Sequence, residues 1–253
     1  MTDETISGAL ASMLNVSPKV HKEDLIYQFL FEHPGVGPDR ASDHYFNDGR
    51  NSAILLRNIV ARDTQINVEG NWDLLEFASG YGCVTRHFKD IIPESSVISC
   101  DIHQKAVDFI QQELQVDAVI SVPEPEKLWL GREFDIVFAL SFFSHMPINS
   151  WSRWLKALFR HVKPGGSLIF TTHGKESLEK LFGADVKLDK NGFWFSPSSE
   201  QLDINTSEYG TTITSEEFVT RTIFSELYSP MSFYSRGFWW GHQDAYVVYK
   251  LCA

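Results

Sequence analysis

The sequence predicts an α/β protein built on a doubly wound, mostly parallel sheet. Two observations carry that prediction. Apolar runs near 72–77, 96–100, 117–120, 134–140 and 167–172 alternate with segments of helical periodicity, and parallel strands buried on both faces read as such continuous runs. The first run, Trp72-Asp73-Leu74-Leu75-Glu76-Phe77-Ala78-Ser79-Gly80-Tyr81-Gly82-Cys83, reads as a buried strand ending in a carboxylate. A small-residue turn follows, and then a helix start at Val84-Thr85-Arg86-His87-Phe88. Strand–turn–helix units of this kind build right-handed crossovers and receive ligands at the carboxyl ends of their strands.

Taken in order, residues 1–20 are polar and are expected to be mobile. Lys22 to Glu32 carries Leu25, Ile26, Phe29 and Leu30 on one helical face. The prolines and glycines of His33-Pro34-Gly35-Val36-Gly37-Pro38 should stop that helix. A second helix is expected from Ser52 to Arg62, burying Ile54, Leu55, Ile59 and Val60, with Tyr45 to Ser52 as the link between the two. The intervening helices of the core show in Ala106, Ile110 and Leu114, and again in Trp151, Leu155, Leu158 and Val162. After Thr172 the texture changes to Gly, Ser, Asn, Asp and aromatics, with Phe193-Trp194-Phe195 as an extended piece. Thr214-Ser215-Glu216-Glu217 reads as a helix start with Thr214 as its cap. Leu227 to Tyr234 and Ala245 to Leu251 are the expected last strands. The organisation predicted is one domain: cap helices over 1–62, and a core over 63–253 with an insertion at about 174–225.

The chemistry concentrates at the first turn. Ala78, Ser79, Gly80 and Gly82 let the backbone approach a ligand closely. A dinucleotide fingerprint would want Gly-x-Gly-x-x-Gly, whereas here Glu76 stands at the strand end with two glycines after it. Such an acid repels a pyrophosphate and suits a cationic ligand. Asp101 closes the strand Val97-Ile98-Ser99-Cys100, where a carboxylate can accept two hydrogen bonds from a ribose diol.

With these residues the chain resembles the class I S-adenosylmethionine-dependent methyltransferases, whose first motif is an acid followed by a Gly-rich turn. Phe134-Asp135-Ile136-Val137-Phe138-Ala139-Leu140-Ser141-Phe142-Phe143-Ser144-His145-Met146-Pro147 is similar to the family's fourth-strand motif, and Lys163-Pro164-Gly165-Gly166-Ser167-Leu168-Ile169-Phe170-Thr171-Thr172 to its turn into the fifth strand. The ordered signatures span about residues 55–173. The resemblance implies a Rossmann-like sheet of seven strands in the order 3-2-1-4-5-7-6, with an antiparallel last strand for which Tyr246-Val247-Val248-Tyr249 is suited, leading helices over the cofactor and a late β-rich insertion. It also implies S-adenosyl-L-methionine as cofactor. Ala78 and Gly80 would lie against its methionine part and Glu76 would hold its ammonium group. Asp101 would bind the ribose, Ile102 would face the adenine, and Val122 and Ser141 would complete the walls. Two departures stand out: Ala78 replaces a common glycine, and Ser121-Val122 replaces an acid often found after the third strand.

Methyl transfer mainly requires proximity and alignment, with a base only where the acceptor must lose a proton. His145 after the fourth strand and His173 after the fifth are the candidate bases, and the His242/Asp244 pair precedes the last strand. Each also has a structural reading, as a helix-start or turn residue. Phe193-Trp194-Phe195 and Phe238-Trp239-Trp240 would either line an acceptor pocket or pack the core.

Bulk properties narrow the partners. The chain has 253 residues, 43% of them hydrophobic and 22% charged, and a net charge of −11 without a long Lys/Arg run. Bulk nucleic acid is therefore not an expected partner. No apolar run approaches the ~20 residues of a membrane span, and the start Met-Thr-Asp-Glu-Thr-Ile-Ser-Gly lacks the pattern of a secretory signal. Cys83, Cys100 and Cys252 have spacings that suggest neither a disulfide framework nor a zinc site. The expectation is a cytoplasmic methyltransferase acting on an oxygen or nitrogen of a small molecule. A protein substrate, a non-catalytic S-adenosylmethionine-binding module and an NAD-linked enzyme are the alternatives.

Overall fold

A computed structural model describes residues 3–183, 185–198 and 205–252. The sheet holds strands β1 (Trp72–Phe77), β2 (Ser95–Asp101), β3 (Asp117–Ile120), β4 (Phe134–Ala139), β5 (Val162–His173), β6 (Phe193–Ser196), β7 (Thr211–Thr214), β8 (Met231–Trp239) and β9 (Gln243–Tyr249). β3, β2, β1, β4 and β5 lie side by side in parallel. β9 then runs antiparallel along β5 from Ser167↔Tyr249 to His173↔Gln243, with β8 antiparallel outside it. Counting only these seven strands, the order is the expected 3-2-1-4-5-7-6. The β6–β7 hairpin is an addition within the late insertion, joined to the tip of β5 at His173↔Ile213.

Two apolar layers sandwich the sheet. Trp151, Trp154, Leu155 and Leu158 of α6 (Ile148–Arg160) pack on Leu75, Val137 and Leu168. Ala53, Leu56, Ile59 and Val60 of α3 (Pro38–Asp63) pack on Leu74, Ile136 and Ile169 of the opposite face. Strand residues thus alternate between two buried faces, which explains the continuous apolar runs.

Several boundaries differ from expectation. Residues Asp3–Met13 form a helix, α1, where a mobile terminus was expected. Helix α2 runs Leu25–Glu32, with Asp24 accepting from the Ile26 and Tyr27 amides as its cap. The supposed second helix begins fourteen residues early, at Pro38. Proline at the first helical position needs no N–H partner and arrives with helical φ, so Pro38 starts α3 instead of excluding a helix. Tyr45 to Ser52 accordingly lies inside α3, with Tyr45 and Phe46 fully buried. The buried stripe is Ser52, Ala53, Leu56, Ile59 and Val60, while Ile54 and Leu55 are only half-buried.

The helix expected after the first turn is shorter than its sequence suggests, a 3-10 turn Thr85–His87 followed by one α turn, α4 (Phe88–Ile91). Between β2 and β3, α5 (Gln104–Phe109) widens into a π turn over Ile110–Leu114. The short α7 (Lys175–Ser177) follows β5. Ser215, not Thr214, caps α8 (Glu216–Leu227), accepting the Phe218 N–H at 3.1 Å. Thr214 is instead the last residue of β7. α8 continues through Leu227 and closes at Tyr228 in a left-handed conformation, so the strand expected from 227 begins at Met231.

Candidate functional site

The carboxyl ends of β1, β2 and β4 meet at one edge of the sheet, and the turn after β1 is their centre. Ala78, Gly80 and Gly82 all have left-handed φ, of 58°, 54° and 77°. At Gly80 a Cβ would meet nothing within 4 Å, so this stretch of backbone is open to a ligand. Ala78 adopts a conformation that an L-residue enters at a cost of roughly 1–2 kcal/mol, and it is exposed. Strain of this sort persists where surrounding structure fixes it, and it clusters at ligand sites.

Asp101 fixes the turn. Its Oδ2 accepts the Gly80 N–H at 2.8 Å, and its Oδ1 accepts the His103 N–H at 2.9 Å with His103 Nδ1 at 3.0 Å. Oδ2, with a single donor, retains a second lone-pair direction. Glu76 lies beneath the turn, buried, with Oε2 accepting from the hydroxyls of Thr85 and Ser99. Burial pushes its carboxyl up to about 7, against the lowering effect of those hydroxyls and with the Asp101 charge adding to the rise. Ser79 is buried with its hydroxyl unpartnered.

The remaining predicted wall residues follow β2, β3 and β4 at the same edge of the sheet. Ile102 follows Asp101 with its side chain partly in solvent. Val122 is half-buried against the core, and Ser121 beside it gives its N–H to the Asp101 carbonyl at 2.7 Å. Ser141, just past β4, has a left-handed φ of 59°. Its N–H donates to Thr171 Oγ1 at 2.8 Å and its Oγ accepts from Gln243 Nε2 at 2.8 Å.

The two candidate bases come together at the same edge but differ in chemistry. His145 stacks on Tyr209 with ring centroids 4.6 Å apart, and its Nδ1 donates to the Gly210 carbonyl at 2.8 Å. That hydrogen bond makes Nε2 the basic nitrogen. His173 lies edge-on to Phe182, with Nδ1 buried and unpartnered. Burial, with His145 nearby, lowers its pKa to about 3. An imidazole so reluctant to take a proton is a poor general base near neutrality. His242 pairs instead with Glu176 at 3.7 Å, and Asp244 accepts from Tyr234 OH at 3.2 Å and the Gly237 N–H at 2.9 Å.

A strap from the N-terminal region crosses the turn. Arg86, buried, donates to the carbonyls of Gly82 at 3.0 Å, Ser17 at 3.0 Å and Lys19 at 2.9 Å, and to Tyr45 OH at 3.2 Å. Tyr45 OH in turn donates to the buried Asp24. Burial raises the Asp24 carboxyl, opposed by that hydroxyl and by the Arg86 charge. His21 stacks on Tyr81 at 4.4 Å, and Glu23 binds Lys105 at 2.7 Å. Arg86 was legible only as a basic residue in a helix; its role depends on carbonyls almost seventy residues away.

Of the aromatic segments, Trp239 is core, tilted against Phe138 with its indole N–H donating to Ser52 Oγ at 2.9 Å. Phe193 packs on Phe218. Trp194 and Phe195 line a cleft of about 580 Å³ with Pro147, Ile148 and Lys187. This cleft lies at the start of α6, beside the β1 turn's edge of the sheet and not within the turn itself.

The geometry has parallels among known proteins. Residues 75–168 match the model of a methyltransferase domain. Over that stretch the chain is similar to methyltransferase domains. Its sequence is 27% identical over 140 residues to a malonyl-[acyl-carrier protein] O-methyltransferase of Bacillus cereus, covering 55% of this chain and 51% of that one. A relative of the same description from Priestia megaterium is 25% identical over 109 residues, with 43% and 39% covered. The chain thus spans about half the length of the curated relatives it matches. Among solved structures, an S-adenosylmethionine-dependent methyltransferase of Clostridium acetobutylicum superposes with a TM-score of 0.57 at 13% identity, over 82% of this chain and 92% of that one. The glycopeptide N-methyltransferase MtfA in complex with S-adenosylmethionine gives 0.56 at 13% identity, over 81% and 88%.

Proposed function

We propose that the protein is an S-adenosylmethionine-dependent methyltransferase acting on an oxygen or nitrogen of a small molecule in the cytoplasm. The observation that carries the reading is the Asp101 carboxylate locked onto Gly80 N–H. That contact sets a diol-binding acid beside a turn whose backbone is open at Gly80. The residues fit the cofactor. Asp101 would take the ribose hydroxyls, Ile102 would cover the adenine, and Val122 and Ser141 would close the sides. Ala78 and Gly80 would lie against the methionine part. Glu76 would meet the ammonium group through Oε1, since Oε2 is held by Thr85 and Ser99.

When bound, S-adenosylmethionine supplies a methyl group on a positively charged sulfur that leaves as a neutral thioether. The protein's part is to hold the acceptor in line and exclude water. Of the two candidate bases His173 holds a proton too weakly, which leaves His145 to take the acceptor's proton. The Trp194–Phe195 cleft, with its apolar lining, supports a small organic acceptor. No helix among the described residues is long and apolar enough to cross a membrane.

Calorimetric titration with S-adenosylmethionine and S-adenosylhomocysteine, with NAD as control, tests the reading. Saturable binding of the first two alone is expected. Binding of NAD instead, or of none of the three, overturns it.

A further inference from the structure

We infer that Gln243 is a positioning residue, whose buried side-chain amide holds Ser141 in the left-handed conformation that shapes the cofactor's wall at the tip of β4. The inference rests on the methyltransferase reading above and adds to it a residue from the far end of the chain.

Gln243 opens β9 opposite His173 of β5 and is buried. Its Oε1 accepts the Thr171 hydroxyl at 2.6 Å, and its Nε2 donates to Ser141 Oγ at 2.8 Å. Thr171 Oγ1 also accepts the Ser141 N–H at 2.8 Å. On the other side Ser141 Oγ stands 3.0 Å from Ser144 Oγ, which donates to the Ser141 carbonyl at 2.6 Å. The directions are mutually consistent. Thr171 donates to Gln243, Ser141 to Ser144 and Ser144 to the Ser141 carbonyl, so each hydroxyl donates once. The ring grips the N–H, the side chain and the carbonyl of one residue, and that residue has a φ of 59° without being glycine.

An apolar side chain of similar volume at 243 would fill the same space between β5 and β8 without needing partners. It would not hold Ser141 in a conformation that L-residues otherwise avoid. The wall at Ser141 would then relax whenever the site is empty, and ligand binding would have to restore it.

The test is calorimetric titration with S-adenosylhomocysteine, paired with melting temperatures, on wild type and Gln243→Leu, each also in Ser141→Gly and Ser141→Ala backgrounds. Gln243→Leu is expected to weaken binding about tenfold, the cost of re-imposing one left-handed residue. In the glycine background the same substitution should cost less than about twofold, because glycine enters positive φ without penalty. In the alanine background, which keeps the Cβ but lacks the hydroxyl that Gln243 holds, affinity should already be reduced and Gln243→Leu should add little further loss. Thr171→Val, which removes one hydroxyl of the ring, should show the same glycine-dependent recovery and serves if Gln243→Leu does not fold. A merely structural role would lower melting in all backgrounds alike and leave affinity unchanged. Wild-type binding with unchanged affinity in Gln243→Leu and Thr171→Val overturns this inference alone, as does a loss that glycine fails to recover. Absence of wild-type binding overturns the cofactor reading and this inference with it.

Discussion

Gly49 provides a substitution for which helix propensity and tertiary structure predict opposite signs. It lies inside α3, and glycine in a helix interior costs about 1 kcal/mol relative to alanine. Propensity alone therefore predicts that Gly49→Ala stabilises the protein by about that amount. The structure predicts the reverse. A Cβ built on Gly49 would overlap the Cys83 carbonyl oxygen, stand 3.0 Å from the carbonyl carbon and lie 3.2 Å from Cδ2 of His87. The first two atoms are backbone, and His87 is fully buried, so no flexible side-chain end can yield. Overpacking of this type costs typically about 1–3 kcal/mol. With backbone in the way the cost falls in the upper half of that range, and set against the gain in propensity it leaves a net loss of about 1–2 kcal/mol, lowering the melting temperature by about 2–4 °C per kcal/mol for a chain of this size. Because Cys83 ends the β1 turn, affinity for S-adenosylhomocysteine should fall as well. Urea denaturation followed by circular dichroism measures the first effect: the midpoint should drop with an unchanged slope. A Gly49→Ala protein more stable than wild type would refute the close approach of α3 to the turn.

Two further predictions concern buried charge. Burial pushes His87 down to about 3, with the Arg86 and Arg50 charges adding to it, and His173 is also lowered to about 3, while Glu76 is raised to about 7. As pH falls from 6.5 toward 4.5, the unfolded chain gains two histidine protons that the folded one refuses, and the folded chain gains one at Glu76; stability should therefore drop by a net of about 1.4 kcal/mol per pH unit. Urea titrations across that window should show a slope shallower by about 1.4 kcal/mol per pH unit in His87→Leu than in wild type, and equal slopes would contradict the burial of this ring. Arg86→Met should cost about 3 kcal/mol, since the Asp24–Tyr45 pair loses its cation and three carbonyls lose a donor. It should also expose residues 14–24 to faster amide exchange, whereas unchanged exchange there would show that the strap does not depend on Arg86.

The parts of the fold that were legible in the sequence are those whose causes are local. Glu76, the small turn and Asp101 sit within one strand–turn–strand unit, and the strands β1 to β5 each carry their own apolar run. Pro38 and Gly49 misled because a proline that begins a helix and one that ends it look alike without the chain's course. Likewise, a glycine beside Asn and Asp reads as a turn until the Cys83 carbonyl is seen against it. Tyr228 closes α8 in a left-handed conformation without the glycine or asparagine that usually marks such an end. Gln243 and Ser141 are 102 positions apart, and only the insertion of β9 next to β5 brings them together. The weakness of His173 as a base arises from burial at the tip of β5, near Phe182 of the late insertion, which no spacing near position 173 encodes.

One ligand site is proposed at the β1 turn and the tips of β2 and β4. Titration of the 15N-labelled protein with S-adenosylhomocysteine, read residue by residue in amide spectra, tests it most directly. Saturable shifts are expected at Ser79 to Cys83, Asp101 to His103, Ser121, Val122 and Ser141, with the Gly80 amide among the largest because its N–H is bonded to Asp101. Shifts confined to the cleft of Pro147, Trp194 and Phe195, or no shifts at all, would contradict it.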